Sequence, residues 1–236
     1  MRRFLAAVAL VSGLGGAAEA ADLPVQAPVL KSPAAAPAAS WSGFYFGGHL
    51  GGAWSDTDWS GINFAPGLVF PFETSGHAGG VQVGFNHQVG QWVFGVEGSW
   101  TWTDLYDVFV LSPSNSYATD IDHLVTVVGR IGYTWDRWLA YVSGGYAAAQ
   151  VKGAALGSGL PGSFTFEDTH DGWTVGAGFE YLLPNNFVFG ADYKYIDLSG
   201  SKNVTTTIGV PVSFSNIDTT IQVLTARLSY KFSWAP

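Results

Sequence analysis

The chain contains no cysteine in its 236 residues, so no disulfide framework holds it together and stability must come from backbone pairing and packing. It is poor in cations, with 10 Lys+Arg against 18 Asp+Glu and a formal charge of −8. A polyanion binder needs the opposite balance, so nucleic acid is excluded as a partner. Uninterrupted apolar runs are also missing beyond the N-terminus, because Gly, Asp or Ser breaks each one before it is long enough for a transmembrane helix. Charge as a whole is scarce, at 12% against 15% aromatic residues. A soluble sheet protein exposes charge on one face of most strands, and this chain has too little to do so.

What is present begins with an export signal. Arg2 and Arg3 precede a short apolar run from Phe4 to Leu14, and Ala18-Glu19-Ala20 is a small-x-small processing pattern. Residues 1–20 are therefore expected to be a signal peptide. Removing them takes away Arg2, Arg3 and Glu19 and moves the net charge from −8 to −9. Residues 21–40 carry Pro24, Pro28, Pro33 and Pro37 among Ala and Val, with Lys31 as the only cation, which reads as an extended periplasmic linker.

From residue 41 to 236 the chain reads as one all-β domain. Two matching phrases set the pattern, Gln91-Trp92-Val93-Phe94-Gly95-Val96-Glu97 and Asn186-Phe187-Val188-Phe189-Gly190-Ala191-Asp192. At period two, each puts aromatics and a small aliphatic on one face, with Val, Gly and an acid on the other. Eight such stretches are expected as strands: 41–55, 77–88, 91–104, 122–135, 137–151, 172–183, 186–198 and 221–232. Tight turns at Val89-Gly90, Asp136 and Pro184-Asn185 alternate with long polar loops. That alternation predicts an eight-stranded antiparallel transmembrane β-barrel, whose two rims face different compartments.

Alternation also assigns the faces. Leu224, Ala226, Leu228, Tyr230 and Phe232 fall on the lipid side of the last strand, and Thr225, Arg227, Ser229 and Lys231 on the lumen side. An aromatic girdle is expected at the turn side, from Trp92, Tyr133, Trp135, Trp138, Tyr181, Phe187, Tyr230 and Phe232. Glu97, Arg130, Glu180, Asp192, Lys194, Arg227 and Lys231 take the inward phase and form a candidate lumen charge network. Buried charges persist only when paired, so a salt-bridged plug is preferred to an ion gate that swaps partners.

The chain resembles the small porin-like outer-membrane β-barrel proteins of alphaproteobacteria, the outer membrane immunogenic or surface antigen type. The likeness rests on Ala21-Asp22-Leu23-Pro24, the Pro/Ala linker, Trp41-Ser42-Gly43-Phe44-Tyr45-Phe46-Gly47-Gly48 and the closing Ala226-Arg227-Leu228-Ser229-Tyr230-Lys231-Phe232. It departs from the family in that Ser233-Trp234-Ala235-Pro236 follow the terminal aromatic. The resemblance implies a cell outer membrane location, insertion by the barrel assembly machinery, and contact with outer-membrane lipid and lipopolysaccharide. A structural role in envelope integrity and as a surface antigen is the favoured function. The alternatives are a narrow porin-like channel and haemin or other ligand binding by the loops.

No catalytic residues, cofactor or metal site are expected. None of His49, His77, His87, His123 and His170 is followed two residues later by the Ser that an outer-membrane deacylase would place on the same face. Asp168, His170 and Asp171, or Asp56 with Asp58, could attract a cation, but loop acids are expected to associate with divalent ions only weakly.

Overall fold

The computed structural model describes residues 39–62, 70–112, 115–157, 164–205 and 211–232. The segments read as signal peptide and linker, apart from Ala39 and Ser40, and the tail after Phe232 lie outside them. Eight strands follow in order: β1 (Gly43–Ile62), β2 (Phe70–Val89), β3 (Trp92–Ser112), β4 (Asn115–Trp135), β5 (Trp138–Gly157), β6 (Phe164–Leu182), β7 (Phe187–Thr205) and β8 (Pro211–Phe232). Each pairs antiparallel with its sequence neighbour, and β1 pairs with β8 to close the barrel. Closure removes both sheet edges, which in lipid would leave backbone groups without partners.

The short connections follow from local chemistry. Gly90 (φ +61°), Asp136 (φ +54°) and Asn186 (φ +66°) adopt the left-handed conformation that these three residue types tolerate best. On the opposite side the structure corrects the sequence reading. The long polar loops are largely strand, because β1 runs on to Ile62, β2 starts at Phe70, β3 reaches Ser112 and β8 starts at Pro211. Within β3, Tyr106, Val108 and Val110 continue the outward phase begun by Trp100 and Trp102, and all are exposed. Alternation persists there across Asp104 and Asp107. An outward acid above the membrane is solvated and need not end a strand. Trp41 is corrected too, since β1 begins at Gly43 and Trp41 is folded inward, 1% exposed.

Strands of 19 to 22 residues at about 3.4 Å per residue and a tilt near 40° give a wall roughly 50 Å tall. The apolar band of such barrels is about 25 Å, so around half of the wall stands clear of it. The projecting half is divided. Among the described residues the β2–β3 ladder stops at Ala78↔Thr103 and the β6–β7 ladder at Asp171↔Ser199. The other ladders continue to the tips, as at Ser112↔Asn115 and Thr205↔Pro211. Above the band the ladders therefore group the strands as β7-β8-β1-β2 and β3-β4-β5-β6, with β2 and β3 still in contact where Thr74 Oγ1 donates to the Tyr106 carbonyl at 3.2 Å.

Candidate functional site: a charged layer inside the barrel

Inward positions repeat every second residue on all eight strands, and a barrel of this size is filled by what stands there. Midway up, Glu97 on β3, Arg130 on β4, Glu180 on β6, Asp192 and Lys194 on β7 and Arg227 on β8 converge, each 9% exposed or less. Arg130 Nη1 lies 3.0 Å from Glu97 Oε2, and its Nη2 lies 3.0 Å from Glu180 Oε2. Arg227 reaches the same two acids, with Nε 3.2 Å from Glu180 Oε1 and Nη2 on Glu97 Oε2. Two arginines and two glutamates thus close a ring of alternating charge. Asp192 joins through Arg227 Nη1 at 3.7 Å, and Lys194 Nζ sits 3.4 Å from Asp192 and 3.7 Å from Glu97. Three acids and three bases leave the layer neutral, which is the condition for burying it.

Two tyrosines that sequence reasoning missed complete the layer. Tyr45 donates to Glu97 Oε2 at 2.7 Å and accepts from Arg130 Nη1 at 2.8 Å. Tyr141 donates to Asp192 Oδ2 at 3.0 Å and accepts from Arg227 Nη1 at 2.8 Å, while Arg130 stacks 3.8 Å above its ring. Each tyrosine lies across an inward glycine of the neighbouring strand, Gly84 beside Tyr45 and Gly178 beside Tyr141, where a Cβ would overlap the ring. The signal was available: an inward Tyr opposite an inward Gly marks a side chain lying along the wall.

Lys231 does not belong with the others. It is the partner of Tyr45 in the β1–β8 ladder, four residues nearer the turns than Arg227, and its Nζ donates to the Ser42 carbonyl at 3.4 Å. Among the described residues it makes no ion pair. Sharing a face and sharing a height are separate properties, and alternation reports only the first.

Apolar layers bound the charges on both sides. Toward the turns, Trp41 packs with Val93, Leu139, Leu182 and Val188 beneath Tyr141, its backbone N–H donating to Gln88 Oε1 at 2.7 Å. Between this floor and the charges is a space of only about 10 Å³, lined by Trp41, Tyr45, Asn86, Glu180, Val188, Ser229 and Lys231, room for about one water. Toward the tips, Leu105, Ile121, Leu124, Ile196, Leu198, Ile221 and Val223 form a second apolar layer with Ala53, Ala78, Ala147, Ala149 and Val151. His49 stands between charges and upper layer, donating from Nδ1 to Gln82 Oε1 at 2.6 Å, with Nε2 hydrogen-bonded to Thr101 Oγ1 at 2.9 Å.

On the outside, the aromatics assigned to the turn-side girdle all point outward. Trp92 meets Tyr133 edge-on at 5.5 Å, Trp138 meets Tyr181 at 4.5 Å, Tyr230 meets Phe187 at 5.3 Å and Phe232 at 5.1 Å, and Trp135 lies 5.5 Å from Phe179. A second belt went unnoticed in the sequence. Phe46–Trp54, Trp92–Trp100, Trp138–Tyr146, Trp173–Tyr181 and Phe187–Tyr195 each place two outward aromatics eight residues apart on one strand. Eight residues span about 27 Å along a strand and roughly 21 Å along the barrel axis, close to the depth of an outer-membrane hydrocarbon core. The acids expected in the long loops or at the strand ends beside them stand on the extended strands, with Asp56, Asp58, Glu73, Asp104 and Asp171 outward and exposed above this belt. Asp171 is exposed whereas His170 is buried, because neighbours in a strand face opposite ways, so the trio suggested with Asp168 does not converge.

A closed barrel with a filled lumen, an uncharged outward band and an aromatic belt at each edge of that band is an integral outer-membrane β-barrel protein. Comparison with known proteins gives the family. The model of the outer membrane protein beta-barrel domain matches residues 7–232, and the chain belongs to that family. It is 32% identical to the 31 kDa outer-membrane immunogenic protein of Brucella melitensis, over 91% of this chain and 93% of that one. Identity to the 22 kDa outer membrane protein of Rhizobium leguminosarum bv. viciae is also 32%, over 68% and 66% of the two chains. The outer membrane protease OmpT of Escherichia coli superposes with a TM-score of 0.51 at 9% identity, over 80% of this chain and 97% of that one, a likeness of fold alone. In this family the short turns face the periplasm and the projecting half faces outward.

Proposed function

We propose that this chain is a sealed structural element of the outer membrane whose projecting half is a surface antigen. One observation carries the sealed reading: a neutral ring of ion pairs is enclosed between two apolar layers, Trp41 with Leu139, Leu182 and Val188 on one side and Leu105, Ile121, Leu124 and Ile221 on the other. A hydrated ion would have to shed its water against both layers, at several kcal/mol per charge, and then compete with a ring already neutral. The antigen reading is supported by the name of the Brucella relative and by exposed Tyr106, Val108 and Val110 on the projecting sheet. The same reading takes outer-membrane lipid and lipopolysaccharide as surroundings, the barrel assembly machinery as the route of insertion, and divalent cations as loose counterions to the outward acids. It includes no catalytic role. The test is conductance of the refolded protein in planar bilayers. A flat baseline at 1 M KCl is expected, and discrete channel steps in proportion to inserted protein would refute the sealed lumen.

A further inference from the structure

The outer surface of the β3-β4-β5-β6 sheet carries a groove of about 500 Å³, within the range of small-molecule binding sites. Its construction follows from register. Tyr106, Asp120, Lys152 and Glu167 are successive ladder partners, one outward residue from each strand in a single row. The next row toward the tips has Ala118 and Ala154, also ladder partners, at its centre. Two methyl groups there leave a shallow floor beside the Tyr106 ring, which is 58% exposed. The result is an aromatic wall, a small apolar floor and a row of two carboxylates and one ammonium along the edge nearest the membrane.

We infer that this groove binds a saccharide carried by the glycolipid of the outer leaflet. A sugar ring has an apolar C–H face and a rim of hydroxyls, and each has its counterpart here. The C–H face covers Tyr106, whose ring is apolar on its face and polar at its tip. Vicinal hydroxyls donate to the Asp120 and Glu167 carboxylates, the second of which also accepts from Gln150 Nε2. Lys152 Nζ gives one of its three donors to Asp122, and the other two serve a hydroxyl or an acidic sugar substituent. Height selects the source. Lys152 lies six residues beyond the belt residue Tyr146 on β5, about 20 Å along the strand and roughly 15 Å along the barrel axis. The groove therefore clears the hydrocarbon and opens sideways at the depth of glycolipid sugars, not upward to the medium. The assignment rests on the outward orientation of the projecting half.

The experiment uses the full chain refolded into nanodiscs containing rough-type lipopolysaccharide, with the delipidated core oligosaccharide as a soluble competitor. Tyr106→p-benzoylphenylalanine, which keeps an aromatic ring at the wall and is photoreactive, should crosslink to lipopolysaccharide, and the oligosaccharide should compete the adduct away. Ala154→Trp, which fills the floor, and Lys152→Ala should each weaken oligosaccharide binding at least tenfold while heat-modifiable mobility stays that of the parent. Unchanged binding in Ala154→Trp, or crosslinks to phospholipid alone, overturns the site. Oligosaccharide binding with no lipopolysaccharide adduct would make the occupant a soluble glycan and overturn the source. These readouts need an inserted barrel but not a sealed one, so channel activity would sink the sealed reading and leave this one standing.

Discussion

Arg130→Ala tests the charged layer most directly. The substitution removes two ion pairs at 3.0 Å, the donor to Tyr45 at 2.8 Å and the cation stacked 3.8 Å over Tyr141. Glu97 keeps Arg227 and Lys194, but Glu180 keeps Arg227 alone. Three buried acids then face two bases, and one negative charge is left without compensation. Breaking a buried pair in this way costs about 3 to 5 kcal/mol, of which only a part is lost attraction; the rest is the stranded acid. The double variant Arg130→Ala/Glu180→Ala restores neutrality and should recover a large share of that loss, giving a coupling energy of about 1 to 3 kcal/mol. Urea unfolding in lipid vesicles, followed by tryptophan fluorescence, measures both. Because the two apolar layers are untouched, neither variant should conduct. An Arg130→Ala protein as stable as the parent, or a double variant less stable than the parent by the full sum of the two single-variant losses, would show that the ring is not an energetic unit.

Other tests address the remaining parts of the architecture. Leu228→Arg, outward within the hydrocarbon band, should cost about 2 to 4 kcal/mol and reduce assembled barrel in isolated outer membranes, whereas Val110→Arg, outward on the projecting sheet, should be nearly neutral; equal effects would misplace the membrane boundary. Gly178→Ala should destabilise far more than Gly98→Ala in the same unfolding assay, since a methyl group at 178 meets the Tyr141 ring and one at 98 meets nothing within 4 Å. On the projecting half, burial and the neighbouring Asp122 hold the Asp120 carboxyl above the usual carboxylate range, while the hydrogen bond from Lys152 holds Asp122 below it. A raised acid stabilises the fold when protonated, and that contribution disappears as pH rises through its folded pKa. Protease resistance of the projecting ends of β4 and β5 should therefore improve as pH falls from neutrality toward about 4, and Asp120→Asn should give that resistance already at pH 7.

Much of the fold was legible because a transmembrane barrel obeys one strong rule. In lipid a wrong-facing charge is penalised at every strand, so the period-two pattern is unusually clean between Trp92 and Trp100 or between Phe187 and Tyr195. Above the upper belt that penalty disappears. Asp56 and Asp58 face outward into water at no cost, the alternation loses contrast, and the same strand reads as a polar loop. The ends of the ladders were illegible for a related reason. Nothing in Ala78 or Thr103 announces that β2 and β3 cease to pair beyond them, because pairing depends on register with the neighbouring strand and not on either residue alone.

The site was legible in its parts and not in its arrangement. Charges on an inward phase are conspicuous, and six of the seven meet. Lys231 does not, because it stands four residues nearer the turns than Arg227 on the same strand, and alternation reports the face and not the height. The tyrosines carry no charge to mark them in the sequence, although Tyr45 and Tyr141 each hydrogen-bond both an arginine and an acid of the layer. The two apolar layers matter most for function. Residues such as Leu105, Ile196 and Val93 carry no chemical signal, yet they decide whether the charges between them line a pathway or fill a wall. A ring of ion pairs open to water at either end can exchange partners with passing ions. Sealed at both ends, the same ring holds eight strands in one register, and its selectivity is for that arrangement alone.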